Sequence, residues 1–114
     1  MIRLVIVDDM PDIRNYLAEE LAAASEQFSV VGAAEDGTEA VKLVDSLLPD
    51  VVLMDIQMKT RTEGIYAIRI IHERHPDIKC IALTIHEDDE LIFQAYLAGA
   101  ADYIIKTRSI DTIK

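Results

Sequence analysis

The chain has 114 residues, enough for one domain with one hydrophobic core and too few for two. Its formal net charge of -10 repels phosphate backbones and anionic lipid, which argues against direct binding of nucleic acid or membrane by this segment. No apolar run approaches the roughly 20 residues that span a bilayer, and no basic stretch leads into an apolar core at the N-terminus, so neither a membrane span nor a secretory signal is read.

Short apolar runs alternate with longer stretches of helical spacing. The first run, IRLVIV (2–7), ends directly in two adjacent carboxylates, Asp8 and Asp9. Pro11 suits a first helical position, and Ile13, Leu17, Leu21 and Ala24 then recur every three or four residues. FSVVGAA (28–34) follows, then a second helical pattern on Ala40, Val41, Val44 and Leu48. VVLMD (51–55) leads to a third on Ile65, Ile68 and Ile71. KCIALT (79–84) leads to a fourth on Leu91, Ala95 and Ala98, and DYIIK (102–106) closes the series. Gly32, Gly37, Pro49, Pro76 and Gly99 punctuate the connections. Most of the runs lack polar alternation, as expected of strands covered on both faces. The single cysteine, Cys80, lies in one of them and reads as a small buried hydrophobe. With no internal disulfide available to the chain, this fits a reducing cytoplasm.

Five β-α units in series predict an α/β fold: a doubly wound parallel sheet with helices on both faces. The fifth unit is short. After Ser109 only IDTIK begins a helix, and a closing helix needs about three turns. The expectation is a single domain over 1–114 with a truncated last helix, cut from a longer parent chain.

In such sheets ligands bind outside the carboxyl ends of the strands. Those ends carry Asp8 and Asp9, Asp55, Thr84 and Lys106. Three clustered carboxylates raise one another's pKa values unless a cation offsets the repulsion. Mg2+ prefers oxygen ligands and works beside phosphate oxygens, which a hydroxyl and a lysine also suit. The pattern is that of phosphoryl transfer, with a carboxylate nucleophile forming an acyl phosphate. Taken singly, each residue has a plainer role: a helix N-cap for the aspartate pair, a turn for Asp55, a β-former for Thr84, a solvated lysine for Lys106. HERHP (72–76) carries His72 and His75, which read as favourable charges near a helix C-terminus rather than as metal ligands. EDDE (87–90) reads as a solvated, acidic start to the fourth helix.

In this order and spacing, DD (8–9), D (55), LT (83–84) and YIIK (103–106) resemble the receiver domain of two-component response regulators. AYLAGAADYIIK (95–106) is similar to receivers that precede LuxR-type (NarL/FixJ-like) DNA-binding domains. The resemblance spans the chain up to the last helix, and it implies a flavodoxin-like (βα)5 sheet of order 2-1-3-4-5. It implies that Asp55 takes a phosphoryl group from a sensor histidine kinase. Asp9 would ligate Mg2+ directly, Asp8 largely through water, and the Gln57 carbonyl would add a ligand. Lys106 would pair with Asp55 and later with the phosphoryl group. Thr84 would bond a phosphoryl oxygen, and Tyr103 would swing from an exposed to a buried rotamer. The output would be a C-terminal effector absent from this chain, a DNA-binding one by the LuxR-type likeness. Homodimerisation on phosphorylation is a further implication. Such a domain is no enzyme beyond self-catalysed phosphoryl transfer and slow autodephosphorylation.

The chain departs from the family pattern at four places. Ile85 replaces a small residue after Thr84, which predicts restricted access, slow labelling by small phosphodonors and a longer-lived phosphoryl group. The loop DIQMKTRTEG (55–64) is one residue longer, with Lys59 where proline is common and Arg61 adding charge. Thr107 follows Lys106 in place of a proline, so a trans bond is expected. Gln57 and His86 occupy the positions that tune the approach of water. Two other classes compete: a receiver-like interaction module that works without phosphorylation, and an enzyme. A flavin phosphate would be repelled by Asp8 and Asp9, and an aspartyl phosphohydrolase would need a second acid where Ile56 and Gln57 stand.

Overall fold

The computed structural model describes residues 1–56, 63–84 and 88–105. Their elements are β1 (Ile2–Val7), α1 (Pro11–Ala24), β2 (Phe28–Ala34), α2 (Gly37–Leu47), β3 (Val51–Asp55), α3 (Glu63–Arg74), β4 (Lys79–Thr84), α4 (Asp89–Ala98) and β5 (Asp102–Ile105). The five strands form one parallel sheet in the order β2-β1-β3-β4-β5, the flavodoxin-like order expected. The segment expected to begin a truncated last helix lies outside the described residues.

Alternation along the strands divides the core in two. Leu4, Ile6, Leu53, Leu83 and Ile104 face one side, where Leu17 and Leu21 of α1 cover them. Val5, Val7, Val52, Met54, Cys80 and Ala82 face the other. There Ala40 and Val44 of α2, Ala67, Ile68 and Ile71 of α3, and Leu91 and Ala95 of α4 pack on them. Strands covered on both faces need no polar residues, which is why their runs read as continuously apolar. Burial at Cys80 pushes its thiol pKa up to about 12, so it stays protonated and acts as a hydrophobe.

Two expectations change. β2 is not covered throughout: only Ala34 is buried, because β2 is an edge strand with one neighbour. Its register shifts between Leu4 and Val5, leaving Val31 as the extra residue of a bulge. Leu48 does not continue the apolar stripe of α2. It is the C-cap, left-handed at φ 47, and 55% exposed. Pro49 follows it, and a residue before proline is disfavoured in the right-handed helical region. Its N–H bonds Val44 O at 2.9 Å, closing the helix, and Arg3 Nη1 donates to the carbonyls of Leu47 and Leu48 at 2.7 and 3.0 Å.

Capping by aspartate sets the starts of α2 and α4. Asp36 accepts from Glu39 N at 2.8 Å, and Asp88 accepts from Leu91 N at 3.2 Å. Asp89 and Glu90 fill the first turn of α4, as the acidic run implied.

Candidate functional site

The sheet order reverses between β1 and β3, the crevice where such folds bind ligands. Val7 pairs with Met54, the last pair of the β1–β3 ladder, so one further step sets Asp8 beside Asp55. Asp55 pairs with Leu83, which brings Thr84 to the next strand end. Asp8, Asp55 and Thr84 are at most 1% exposed, and Asp9 is half-buried. One carboxylate oxygen from each of Asp8, Asp9 and Asp55 can be chosen so that all three lie within 4.8 Å of one another. Only the fold achieves this, since Asp9 and Asp55 are far apart in sequence.

Asp8 is held at its N–H, its carboxylate and its carbonyl. Its N–H donates to Ala34 O at 3.1 Å at the end of β2. Its Oδ1 accepts from Met10 N at 2.9 Å, and its carbonyl accepts from Arg14 Nη1 at 2.7 Å. The N-cap of α1 is Met10, in extended conformation and with no side-chain cap, so neither aspartate serves as the helix cap.

Sequence reasoning passed over several residues here. Asp9 shares a cavity of about 190 Å3 with Glu35, Asp36 and Glu63. Glu35, Asp36 and Glu39 form a second close carboxylate group on the surface. Two of these acids have structural duties: Asp36 caps α2, and Glu63 Oε1 accepts from Gly37 N at 3.3 Å, tying the starts of α2 and α3 together. The spacing of Asp36 and Glu39 is that of a capping box, a signal readable in EDGTE. Arg14 carried no such signal, because a lone arginine in an amphipathic helix looks like a solvated one.

The donor set fits a hard divalent cation. Three carboxylates this close repel one another, and Mg2+ offsets that repulsion while taking only oxygen ligands. The buried Thr84 hydroxyl adds a group suited to an anionic oxygen. A larger cavity of about 580 Å3 lies between α2 and α3, floored by Val41, Ala67 and Ile70, and it does not include the three clustered aspartates.

Tyr103, on β5, is half-buried against the core. Its ring meets that of Tyr96 edge to face, with centroids 6.3 Å apart at 89°. Tyr96 Oη donates to Asp102 Oδ1 at 3.4 Å, and the same oxygen accepts from Tyr103 N at 2.7 Å. Partial desolvation, then the Asp102 charge, raises the Tyr96 phenol pKa. The expected swing of Tyr103 would therefore begin from a half-buried ring in contact with a second tyrosine.

His75 Nε2 lies 2.8 Å from Asp45 Oδ1, and Arg74 Nη1 donates to Asp45 Oδ2 at 2.6 Å. The pair of histidines thus has a structural partner across α2 and α3 for one member. Lys106, Gln57, Ile85, His86, Lys59, Arg61 and Thr107 lie outside the described residues. No described helix is long and apolar enough to cross a membrane.

Comparison with known proteins supplies the family. Residues 4–114 match the family model of the response regulator receiver domain. The chain is 38% identical over 112 residues to the transcriptional regulatory protein DegU of Brevibacillus brevis, covering 98% of this chain and 47% of the relative. It is 42% identical over 113 residues to a protein-glutamate methylesterase/protein-glutamine glutaminase of Rhodopseudomonas palustris, covering 97% and 30%. The structure of a LuxR-family two-component response regulator from Aurantimonas sp. superposes with a TM-score of 0.89 at 28% identity, over 99% of this chain and 79% of that one. The chain belongs to the response regulator receiver domain family. It spans about half the length of the first of these curated relatives, or less.

Proposed function

We propose that this receiver is a phosphorylation-dependent switch whose acceptor is Asp55. The observation that carries the reading is the convergence of Asp8, Asp9 and Asp55 at the switch point, with their carboxylate oxygens within 4.8 Å and the Thr84 hydroxyl at the adjoining strand end. The phosphodonor is a phosphohistidine on a sensor kinase. An Asp55 carboxylate oxygen attacks phosphorus, and the bond from phosphorus to the imidazole nitrogen breaks. The electron pair stays on that nitrogen, which takes a proton from solvent, and an acyl phosphate remains on Asp55.

Asp9, Asp55 and the Gln57 carbonyl, with Asp8 behind them, would hold Mg2+, and the ion would neutralise charge on the phosphoryl oxygens. Lys106 pairs with the same oxygens, and Thr84 donates its hydroxyl proton to one of them. Drawing the Thr84 loop inward makes room for Tyr103 to turn further into the core, which reshapes the surface of α4 and β5. That surface controls an effector elsewhere in the parent chain, a transcription regulator by likeness to DegU. Dimerisation follows phosphorylation. Ile85 at the entrance slows small phosphodonors and lengthens the life of the acyl phosphate, and Gln57 and His86 set how water reaches it.

Intact-mass spectrometry after incubation with acetyl phosphate or phosphoramidate tests this reading. The expected result is a single phosphoryl adduct that requires both Mg2+ and Asp55, absent in Asp55→Asn. No adduct, together with no binding of beryllofluoride, would overturn it in favour of an interaction module that works unphosphorylated. Ile85→Ala is expected to speed both labelling and loss of the phosphoryl group. Unchanged rates would remove the role given to that side chain.

A further inference from the structure

We propose that Arg14 is a positioning residue for the metal site, gripping the peptide that joins Asp8 to Asp9. This inference rests on the reading of Asp8, Asp9 and Asp55 as the metal-binding set. Arg14 lies in the first turn of α1, where its N–H bonds Met10 O at 3.0 Å, so its backbone is fixed by the helix. Its side chain reaches back six residues, and Nη1 donates to the Asp8 carbonyl at 2.7 Å. That carbonyl belongs to the peptide unit whose nitrogen is Asp9's.

The geometry around this peptide explains why a tether matters. Other anchors on Asp8 include its N–H to Ala34 and its carboxylate to Met10 N. Both act on the Asp8 side. The plane of the next peptide, and with it the direction in which Asp9 leaves the strand, is set by the carbonyl that Arg14 holds. A rotation there would leave Asp8 in place and swing Asp9 away from Asp55. Arg14 forms no ion pair among the described residues, although carboxylates cluster close by. Its charge-assisted bond goes to a backbone carbonyl instead. Arg14 is half-buried and its bond to Asp8 partly so, so solvent screens that bond only in part.

A positive charge beside a cation site opposes the cation, and this gives the test its direction. If Arg14 acted only through charge, removing it would tighten Mg2+ binding. If it positions the peptide, removing it weakens binding, and lysine cannot replace it, because its ammonium ends one atom short of the Nη1 that makes this bond.

Mg2+ would be titrated into wild type, Arg14→Met, Arg14→Lys and, as a surface-charge control, Arg69→Met, following amide and carbonyl NMR shifts. The thermal midpoint of each would be taken in EDTA. Both Arg14 variants are expected to weaken Mg2+ roughly tenfold, in the range of lost outer contacts to metal ligands. The carbonyl carbon shift of Asp8 should move even without metal, and Arg69→Met should behave as wild type. Arg14→Lys keeps charge and stem, so it reports even if Arg14→Met folds poorly. Unchanged or tighter binding in Arg14→Met, or wild-type affinity in Arg14→Lys, would overturn the positioning role alone. Absence of saturable Mg2+ binding in wild type would overturn the metal reading and this inference with it.

Discussion

Gly64 and Asp55 are in such close contact that a β-carbon added to Gly64 would collide with the Asp55 carbonyl oxygen and crowd Ile56 behind it. The start of α3 therefore seats directly on the end of β3. Both partners are backbone, which cannot give way as a flexible side chain can. Gly64→Ala should lower stability by about 1–3 kcal/mol, the usual cost of overpacking. It should also reduce labelling of Asp55 by acetyl phosphate. Urea denaturation and intact-mass labelling on the same preparation would check both. Unchanged stability with full labelling would show that α3 moves aside freely.

Arg3 closes α2 from a different strand. Its guanidinium bonds the carbonyls of Leu47 and Leu48, while its own N–H donates to Asp50 Oδ2 at 2.8 Å. Those carbonyls have lost their helical partners, and cations are favourable at a helix C-terminus. Arg3→Met should cost about 1–2 kcal/mol, read as a lower urea midpoint at unchanged slope.

Asp45 ties α2 to the end of α3. The hydrogen bond with His75, followed by the nearby Arg74 charge, outweighs partial burial and holds its pKa below the ordinary carboxylate value. A group whose folded pKa is depressed stabilises above its unfolded pKa, and that contribution is lost as pH falls through the folded value. Asp45→Asn should therefore melt earlier than wild type near neutral pH. The gap should close as pH drops through and below the ordinary carboxylate range. The pair is exposed, so the difference is small and should shrink in high salt. Thermal melts of both proteins across that range would test it. A gap that persists in strong acid would mean that packing, not charge, is responsible.

The acidic cluster predicts a trade between stability and metal binding. Without metal, three carboxylates within 4.8 Å repel. Asp9→Asn should raise the thermal midpoint in EDTA. It should also abolish most of the rise that saturating Mg2+ gives wild type, which follows RT ln(1 + [L]/Kd). Differential scanning calorimetry with and without Mg2+ separates the two effects. A variant less stable in EDTA would mean that Asp9 makes favourable contacts that outweigh the repulsion.

Much of the fold was readable in the chain. The five apolar runs, Pro11 at a helix start and the acidic cap before α4 carry their information locally. The period of two or of 3.6 residues and the chemistry of a cap depend only on neighbours in sequence. Asp8, Asp9, Asp55 and Thr84 were legible as a set because strands in such a sheet end on one edge. The bulge at Val31 and the exposure of β2 were not legible, because edge position depends on which strands pair. Leu48 misled because its apolar side chain suits α2, while Pro49 beside it disfavours the helical conformation.

The sequence by itself determined the order of the described elements and the residues at the strand ends, since continuous apolar runs and helical spacing act over a few residues. The tertiary structure decided which strand ends adjoin and which side chains reach across. The carboxylate cluster, the reach of Arg14 to Asp8, the seat of Gly64 on Asp55 and the tie from Arg3 to α2 are contacts between groups placed by packing. Such contacts are fixed by the sheet order and the seating of each helix, and no local pattern of residues encodes them.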